Sequence, residues 1–186
     1  MFTLLANFAG TSLTAAAVAM ALFSPGIEYT PEIYKVNMSM SQPIDITEDI
    51  GFYKVSPIKI SQKDLQCLEK NIYYEAGIED HAGKIAVAQV TWNRVKNGRW
   101  GKSICKVVYA RKQFSWTHQN KPAPKGKLWR LSKQAAQDFI NGTRILDLKN
   151  SLYYHATWMK KKPSWALHKI QVHEIGQHVF YMPKKK

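Results

Sequence analysis

The chain has 186 residues and a formal net charge of +14, and 45% of its residues are hydrophobic and 12% aromatic. This length and composition exclude a disordered chain and are typical of one globular domain with an appendage. Residues 1–60 hold three Lys/Arg and five Asp/Glu, whereas residues 61–186 hold 24 and eight. The basic later part favours polyanionic partners such as nucleic acid, anionic lipid or acidic cell-wall polymers, although a solvated basic surface is the simpler alternative.

Residues 1–23 form a weakly hydrophobic N-terminal segment, since no charged side chain precedes Glu28. The stretch 2–23 is close to the roughly 20 residues that span a bilayer, and Ala19 and Ala21 offer a small-residue cleavage site. A cleaved signal, a retained anchor and a marginal anchor that leaves the membrane are all consistent with it, as is a buried Ala-rich helix. The first three interpretations predict an exported or membrane-anchored protein, associated with the inner membrane and acting in the periplasm or cell wall.

Residues 24–60 are predicted to be a linker or extended arm, because four prolines break any helix there (Pro25, Pro31, Pro43 and Pro57). A short β-like piece, Ile50–Val55, is expected to pack onto the domain that follows. The globular domain is expected over residues 61–186.

Helix ends are readable at the start of this domain. Ser61 followed by Asp64 resembles a capping box and predicts a helix that runs to about Ala76. A second helix, Ala82–Lys96, follows a cap at Asp80 or His81 and ends at Asn97-Gly98. Its apolar residues cover most of its circumference, which is typical of a central core helix.

The remaining elements are shorter. The pattern predicts a short helix over Ser103–Tyr109, a Lys- and Pro-containing loop over Gln113–Lys127 and a capped helix over Ser132–Asn141. A strand is expected around Val179–Met182. The predicted class is mainly α (α+β) with a small β part. Cys67 and Cys105 are compatible either with one bridge or with two buried thiols.

Glu75 is out of place on the first helix. At 100° per residue it falls about 20° from Leu68, on the stripe that also carries Leu65 and Ile72. Burial and the negative end of the helix dipole both raise the pKa of such a carboxyl group. A raised pKa suits a general acid that protonates a glycosidic oxygen, whereas the structural alternative is a half-buried Glu paired with a Lys or Arg.

Five ordered blocks between about Asp64 and Tyr181 resemble the SleB-type cell wall hydrolases of spore cortex lysis and phage lysis. The first reads YYEAGIEDHAG from Tyr73, followed by KIAVAQVTWNRV. Later blocks are ICKVVY from Ile104, QFS from Gln113, YHA from Tyr154 with SWA from Ser164, and IGQHVFY from Ile175. The chain departs from the pattern at Gly77, where many members have Arg, and in the loop 117–127, so its fine substrate preference is open.

The resemblance implies a lysozyme-like domain that acts on bacterial peptidoglycan glycan strands as a lytic transglycosylase. Glu75 would protonate the leaving oxygen between N-acetylmuramic acid (MurNAc) and N-acetylglucosamine (GlcNAc), and would then deprotonate the muramyl 6-hydroxyl to close a 1,6-anhydro ring. No cofactor and no metal are implied. The residues expected to line the substrate site with Glu75 are Tyr73, Glu79, Gln113, Phe114, Ser115, Trp116, Tyr154 and His155. Weak anchoring and small size favour a phage endolysin, with a bacterial remodelling enzyme as the alternative.

Three other functions compete with this interpretation. A muramidase-type hydrolase would use Glu75 with Glu79, four residues along the helix, although Gly77 and Asp80 suggest that the chain turns there and that Glu79 is structural, orienting the loop or pairing with Arg94. A basic nucleic-acid-binding module explains the charge but not the blocks, so no nucleic acid is expected; a non-catalytic wall-binding module does not explain Glu75.

A zinc peptidase is disfavoured by the spacing of His173 and His178, since a zincin helix needs the two histidines four residues apart. The sequence leaves the oligomeric state open.

Overall fold

The computed structural model describes residues 50–184, and the expectations for residues 1–23 and for 24–49 lie outside this part of the chain. Four α-helices and five strands occur there. The helices are α1 (Gln62–Ala76), α2 (His81–Asn97), α3 (Ile104–Val108) and α4 (Gly126–Ile140). The strands are β1 (Phe52–Lys54), β2 (Thr143–Ile145), β3 (Tyr153–Ala156), β4 (Lys169–Ile175) and β5 (His178–Pro183).

The predicted helix ends are confirmed for the first three helices. Ser61 caps α1, since its hydroxyl accepts the Asp64 N–H at 3.0 Å, and the Asp80 carboxylate caps α2 by accepting the Gly83 N–H at 2.7 Å. Gly98 ends α2 in the left-handed conformation with φ 77°. Ser103 caps the short helix α3.

The prediction for α4 is wrong at its start. The helix begins at Gly126, six residues before the expected cap at Ser132. Ser132 lies inside the helix, where it is buried and its hydroxyl donates to the carbonyl of Leu128 at 2.8 Å. A serine that bonds back one turn does not mark a helix end, and sequence alone does not separate this case from a cap.

The helix α2 is the centre of the core. Its residues from Ala82 to Thr91 are all buried, as are Asn93 and Arg94. α1, α3 and α4 pack around it, and β2 lies against it as well. The expected central core helix is therefore confirmed, and the mainly helical class with a small β part is confirmed with it.

The β part consists of two small antiparallel sheets. β1 pairs with β2, with Tyr53 opposite Arg144, so the predicted β-like piece packs onto the domain. The second sheet has the order β3-β5-β4, with Tyr154 opposite Phe180 and a bulge in β4 between Gln171 and His173. The strand expected around Val179–Met182 is confirmed as the middle of β5.

A disulfide joins Cys67 of α1 to Cys105 of α3, with a Cα–Cα distance of 5.3 Å. Of the two states that the sequence left open, the structure therefore has the bridge. Asp64 reinforces the same junction, since its carboxylate accepts the Cys105 N–H at 2.8 Å. The start of α3 is thus tied to α1 both covalently and through a hydrogen bond.

In the stretch from residue 50 to residue 184, no helix has the length and apolar character needed to cross a membrane.

Candidate active site

Glu75 lies in the last turn of α1, beside the first strand of the larger sheet. Its side chain is half-buried, and its Oε2 accepts a hydrogen bond of 3.0 Å from the hydroxyl of Tyr154. Tyr154 is in β3, and 79 positions separate the two residues. The helix end and the strand together hold one carboxyl group and one phenol in contact.

The pKa of Glu75 is raised above its ordinary value, chiefly because burial disfavours the charged carboxylate. The hydrogen bond from Tyr154 and the positive charge of Arg94 oppose this rise. Burial also raises the pKa of Tyr154 well above its usual range, so the phenol keeps its proton and remains a donor. Burial therefore favours a protonated Glu75 before a reaction, and the hydrogen bond from Tyr154 is suited to stabilise the carboxylate afterwards.

Arg94 of α2 supplies the positive charge behind this pair. Its Nε donates to the carbonyl of Leu152 at 2.8 Å, and its guanidinium lies 5.3 Å from the ring centres of both Trp100 and Phe114 and 6.0 Å from that of Tyr154. Its Nη1 is buried without a hydrogen-bond partner. Because Arg94 is buried among aromatic rings, its positive charge is weakly screened by water. This charge therefore acts on Glu75 and lowers the pKa of its carboxyl group.

Glu79 has a different environment from Glu75. Its side chain is only 5% exposed, and Oε2 accepts the Gln177 N–H at 3.1 Å while Oε1 lies 3.8 Å from Nδ1 of His178. Gly176 adopts φ 55°, and a Cβ at that position would overlap the Glu79 carboxylate. Glu79 therefore holds the β4–β5 turn in place through these contacts. The ion pair between Glu79 and Arg94, which the sequence suggested, is not observed.

A cleft of about 820 Å³ opens over Glu75. Tyr74, Tyr154, Arg94 and Glu79 line it together with residues from three parts of the chain. The α1–α2 loop contributes Ile78, and the stretch before α4 contributes Lys112, Gln113, Phe114, Ser115 and His118. The sheet and its connections contribute His155, Ala156, Trp158, Met159, Pro163, Trp165, Gln177 and His178.

The structure brings six of the expected substrate-site residues to this cleft with Glu75, namely Glu79, Gln113, Phe114, Ser115, Tyr154 and His155. Phe114 is only 2% exposed, so it packs in the core and offers no open face for a sugar ring. Ser115 is exposed and Gln113 is half-buried, which leaves polar atoms of both available to a ligand. His155 is also half-buried, but both of its ring nitrogens have partners inside the protein.

Tyr73 and Trp116 do not line the cleft, which corrects the expectation from their motifs. Trp116 is buried, donates from its indole N–H to Oδ1 of Asn71 at 3.1 Å and stacks on Tyr74 with ring centres 4.5 Å apart. Tyr73 instead meets Trp129 of α4 edge to face at 5.9 Å. Both residues belong to the packing that supports α1.

Sequence reasoning missed several residues of the cleft, above all Arg94, His178 and Trp158. Arg94 and His178 belong to the sequence blocks that resemble the SleB-type family, but nothing in their spacing indicated that they line the same cleft as Glu75. Burial lowers the pKa of His178, so its imidazole is neutral at neutral pH. Trp158 lies in a lysine-rich connection without a recognised pattern.

The histidines considered for a zinc site lie on neighbouring strands, His173 on β4 and His178 on β5. The Nδ1 of His173 is 3.2 Å from Oδ2 of Asp147. Within residues 50–184, no three His, Cys, Asp or Glu side chains cluster in the manner of metal ligands.

Comparison with known proteins defines the class. The family model described as Cell Wall Hydrolase matches residues 78–181, more than half of the chain, and the chain therefore belongs to the Cell Wall Hydrolase family. The match begins just after Glu75. The expected membership of the SleB-type cell wall hydrolases is confirmed.

Among similar proteins are spore cortex-lytic enzymes. The one from Oceanobacillus iheyensis is 26% identical over 128 residues, which are 67% of this chain and 43% of the relative. The one from Bacillus cereus is 27% identical over 128 residues, 67% of this chain and 46% of the relative. The chain thus spans less than half the length of these curated relatives.

Two solved structures have a similar fold. The crystal structure of the catalytic domain of the Bacillus cereus SleB protein aligns with a TM-score of 0.56 and 27% identity, covering 68% of this chain and 94% of that domain. The catalytic domain of the germination-specific lytic transglycosylase SleB from Bacillus anthracis aligns with a TM-score of 0.54 and 27% identity, covering 67% and 98%. The similarity is therefore to nearly the whole of each catalytic domain.

Proposed function

We propose that this protein degrades peptidoglycan by cleaving the glycosidic bond between MurNAc and GlcNAc, as a lytic transglycosylase in which Glu75 is the single acid and base. The contact between Tyr154 and Glu75 in the cleft is the observation that carries the proposal. Membership of the Cell Wall Hydrolase family and the lytic transglycosylase named among the similar structures support it.

The reaction begins with protonated Glu75, whose pKa is raised by burial. Its proton passes to the glycosidic oxygen, the bond from that oxygen to C1 of MurNAc breaks, and the GlcNAc hydroxyl leaves while positive charge develops at C1. The hydrogen bond from Tyr154 and the charge of Arg94 stabilise the carboxylate that forms. That carboxylate removes the proton of the muramyl 6-hydroxyl, whose oxygen bonds to C1 and closes the 1,6-anhydro ring, so Glu75 regains its proton.

Other residues of the cleft bind the substrate. Gln113 and Ser115 present polar atoms suited to hydrogen bonds with acetamido and hydroxyl groups of the sugars, and His155 lines the same cleft. The Nδ1–H of His155 donates to the carbonyl of Ala156 at 2.9 Å, and its Nε2 lies 3.0 Å from the hydroxyl of Tyr181, so the ring orientation is determined.

A muramidase-type hydrolase that uses Glu79 as the second carboxylate is the alternative within the same class. It is less well supported, because the Glu79 carboxylate accepts a backbone N–H of the β4–β5 turn and lies next to His178. A carboxylate engaged in this way is poorly placed to activate a water or attack a sugar.

The proposal implies action in the periplasm or cell wall, with export or anchoring through residues 2–23 as an accompanying proposal. Lysis and wall remodelling are both compatible with this location.

Mass spectrometry of the products from purified peptidoglycan tests the mechanism. Anhydromuramyl ends are expected of a lytic transglycosylase. Reducing muramic ends would instead show that the protein is a hydrolase. A protein that retards DNA in a gel but releases no muropeptides would overturn the proposal in favour of a nucleic-acid-binding module.

A further inference from the structure

A segment of seven residues after β3 has properties that the core does not explain. This rim segment, Thr157–Pro163, reads TWMKKKP. Trp158 is 73% exposed and Met159 40% exposed, and both line the same cleft as Glu75. An indole left in water at the edge of a cleft contributes little to folding, whereas its flat face is well suited to stack on a saccharide.

The rim segment is also strongly basic. Lys160, Lys161 and Lys162 are consecutive and exposed, and residues 157–173 contain no Asp or Glu. Between residues 50 and 184, the only basic side chains within ion-pairing distance of a carboxylate are histidines. The three ammonium groups therefore have no carboxylate partner in that part of the protein. Their positive charge is therefore available to an anionic ligand.

A polar network links the rim segment to the cleft wall. Nζ of Lys162 donates to Oε1 of Gln171 at 3.4 Å and lies 5.3 Å above the ring of Tyr181. The Tyr181 hydroxyl is 3.4 Å from the same Gln171 oxygen and 3.0 Å from Nε2 of His155, which lines the cleft. The cationic end of the segment is thus held beside the cleft that contains Glu75.

A ligand of the rim segment should combine a saccharide face with negative charge that projects from it. In peptidoglycan, each muramyl residue carries a lactyl-linked peptide stem, and the free carboxylates of these stems extend from the glycan strand. Lysine acts as a flexible point charge and binds carboxylates without the fixed geometry that arginine requires, so three lysines tolerate stems in varied orientations.

We propose that the rim segment is a binding site for stem-bearing glycan, in which Trp158 stacks on a sugar ring and Lys160, Lys161 and Lys162 bind the carboxylates of the peptide stems. The inference rests on the proposed function, because it names the part of peptidoglycan that this cleft selects. It makes the enzyme prefer glycan with acidic stems over the same glycan without them.

The test compares two substrates made from one batch of peptidoglycan from which teichoic acid has been removed. One keeps its stems, and the other has lost them through treatment with an amidase. New glycan ends are counted by mass spectrometry for the full chain, for the triple variant Lys160→Gln, Lys161→Gln and Lys162→Gln, and for Trp158→Ala. The matched control carries Lys59→Gln, Lys63→Gln and Lys70→Gln, which remove the same charge from exposed lysines outside the cleft.

The unaltered protein and the control are expected to cleave stem-bearing glycan faster than stem-free glycan. In the Lys160–Lys162 variant this ratio should fall roughly three- to tenfold towards one, the size expected of a few exposed ion pairs, and added salt should reproduce the fall. Trp158→Ala should slow cleavage of both substrates.

An unchanged ratio in the Lys160–Lys162 variant would overturn the inference while leaving the proposed function intact. A third substrate, cell walls that retain teichoic acid, tests for phosphate as the ligand. If the Lys160–Lys162 variant loses activity only on these walls, the inference is overturned in favour of phosphate. Failure of the unaltered protein to cleave either substrate would instead count against the proposed function itself, so the two failures are distinguishable.

Discussion

The hydroxyl of Tyr154 donates a hydrogen bond of 3.0 Å to Oε2 of Glu75, and this contact joins the last turn of α1 to strand β3. It opposes the effect of burial, which raises the pKa of the Glu75 carboxyl group. A general acid that later acts as a base requires both influences, one to retain the proton and one to tolerate its loss. The chemistry proposed for the cleft therefore depends on how these two residues are held together.

Replacement of Glu75 by Gln is expected to abolish the release of muropeptides, with a loss of at least about 10²–10⁴-fold, the usual contribution of a general acid. The amide has nearly the same shape but transfers no proton to the leaving oxygen. Turbidity clearing of purified peptidoglycan measures the loss, and far-UV circular dichroism checks the fold. Glu174→Gln, at an exposed position of β4 outside the cleft, is the matched control. Full activity in Glu75→Gln would remove Glu75 from the mechanism.

The same substitution should change how stability depends on pH. Because the folded pKa of Glu75 is raised above 4.5, the folded protein retains a proton that the unfolded chain has already released. The free energy of unfolding therefore falls as pH rises from the unfolded pKa to the folded pKa, and stays lower above it. Glu75→Gln lacks this fall, so urea unfolding should show it gaining stability relative to the parent as pH increases. A constant difference between the two proteins across the series would contradict the raised pKa.

Tyr154→Phe is expected to shift the pH dependence of kcat/KM. If Glu75 is the acid as proposed, activity of the parent should decline as pH rises through the pKa of Glu75, because only the protonated carboxyl group donates a proton. The lost hydrogen bond had stabilised the ionised form, so its removal raises the pKa further and moves the alkaline limb to higher pH. Tyr109→Phe, at an exposed tyrosine outside the cleft, serves as the control and should leave the limb in place. If the alkaline limb of Tyr154→Phe lies at the same pH as that of the parent, a group other than Glu75 determines the limb.

Reduction of the Cys67–Cys105 bridge should destabilise the domain. The bridge closes a loop with a sequence separation of 38, for which chain entropy predicts about 4 kcal/mol, or a fall in Tm of roughly 8–16 °C. Calorimetry with and without reductant measures the difference. The double variant Cys67→Ser and Cys105→Ser should have the lower Tm of the reduced protein, and reductant should not change it. Equal Tm values for oxidised and reduced protein would contradict this prediction and show that the packing of α1 on α3 stabilises the domain without the bridge.

Gln89→Leu should be strongly destabilising although it adds an apolar group to the core. The buried Gln89 amide donates to the Ile145 carbonyl at 2.8 Å and accepts the Ile145 N–H at 2.7 Å, so it completes the hydrogen bonding of β2. Leucine would leave both backbone groups buried without partners, which costs about 2–5 kcal/mol in the free energy of unfolding. Denaturant titration measures this, and the exposed substitution Gln134→Leu on α4 should change stability by less than about 0.5 kcal/mol.

The parts predicted well from sequence are those governed by local interactions. Ser61, Asp80 and Gly98 act within a few residues of themselves, so the ends of α1 and α2 were predictable. The prediction that Ser132 caps α4 was wrong, because its hydroxyl donates to the carbonyl of Leu128 one turn earlier in the helix. The aromatic residues Tyr73 and Trp116 were assigned to the substrate by motif, yet they pack on Trp129 and Tyr74, and nothing local distinguishes a stacking platform from a core ring.

The sequence by itself determined that a carboxyl group sits on the apolar stripe of a helix, since 3.6-residue periodicity and capping are properties of adjacent residues. Only the tertiary structure decided which side chains meet it. Tyr154 reaches Glu75 across 79 positions, and the Cys67–Cys105 bridge forms across 38. It also distinguished the two glutamates of the cleft, because the Glu79 carboxylate is bound to the β4–β5 turn whereas the Glu75 carboxylate accepts a hydrogen bond from Tyr154. These pairings depend on how helices and sheet pack together, and that packing is settled by burial of the whole core rather than by any single segment.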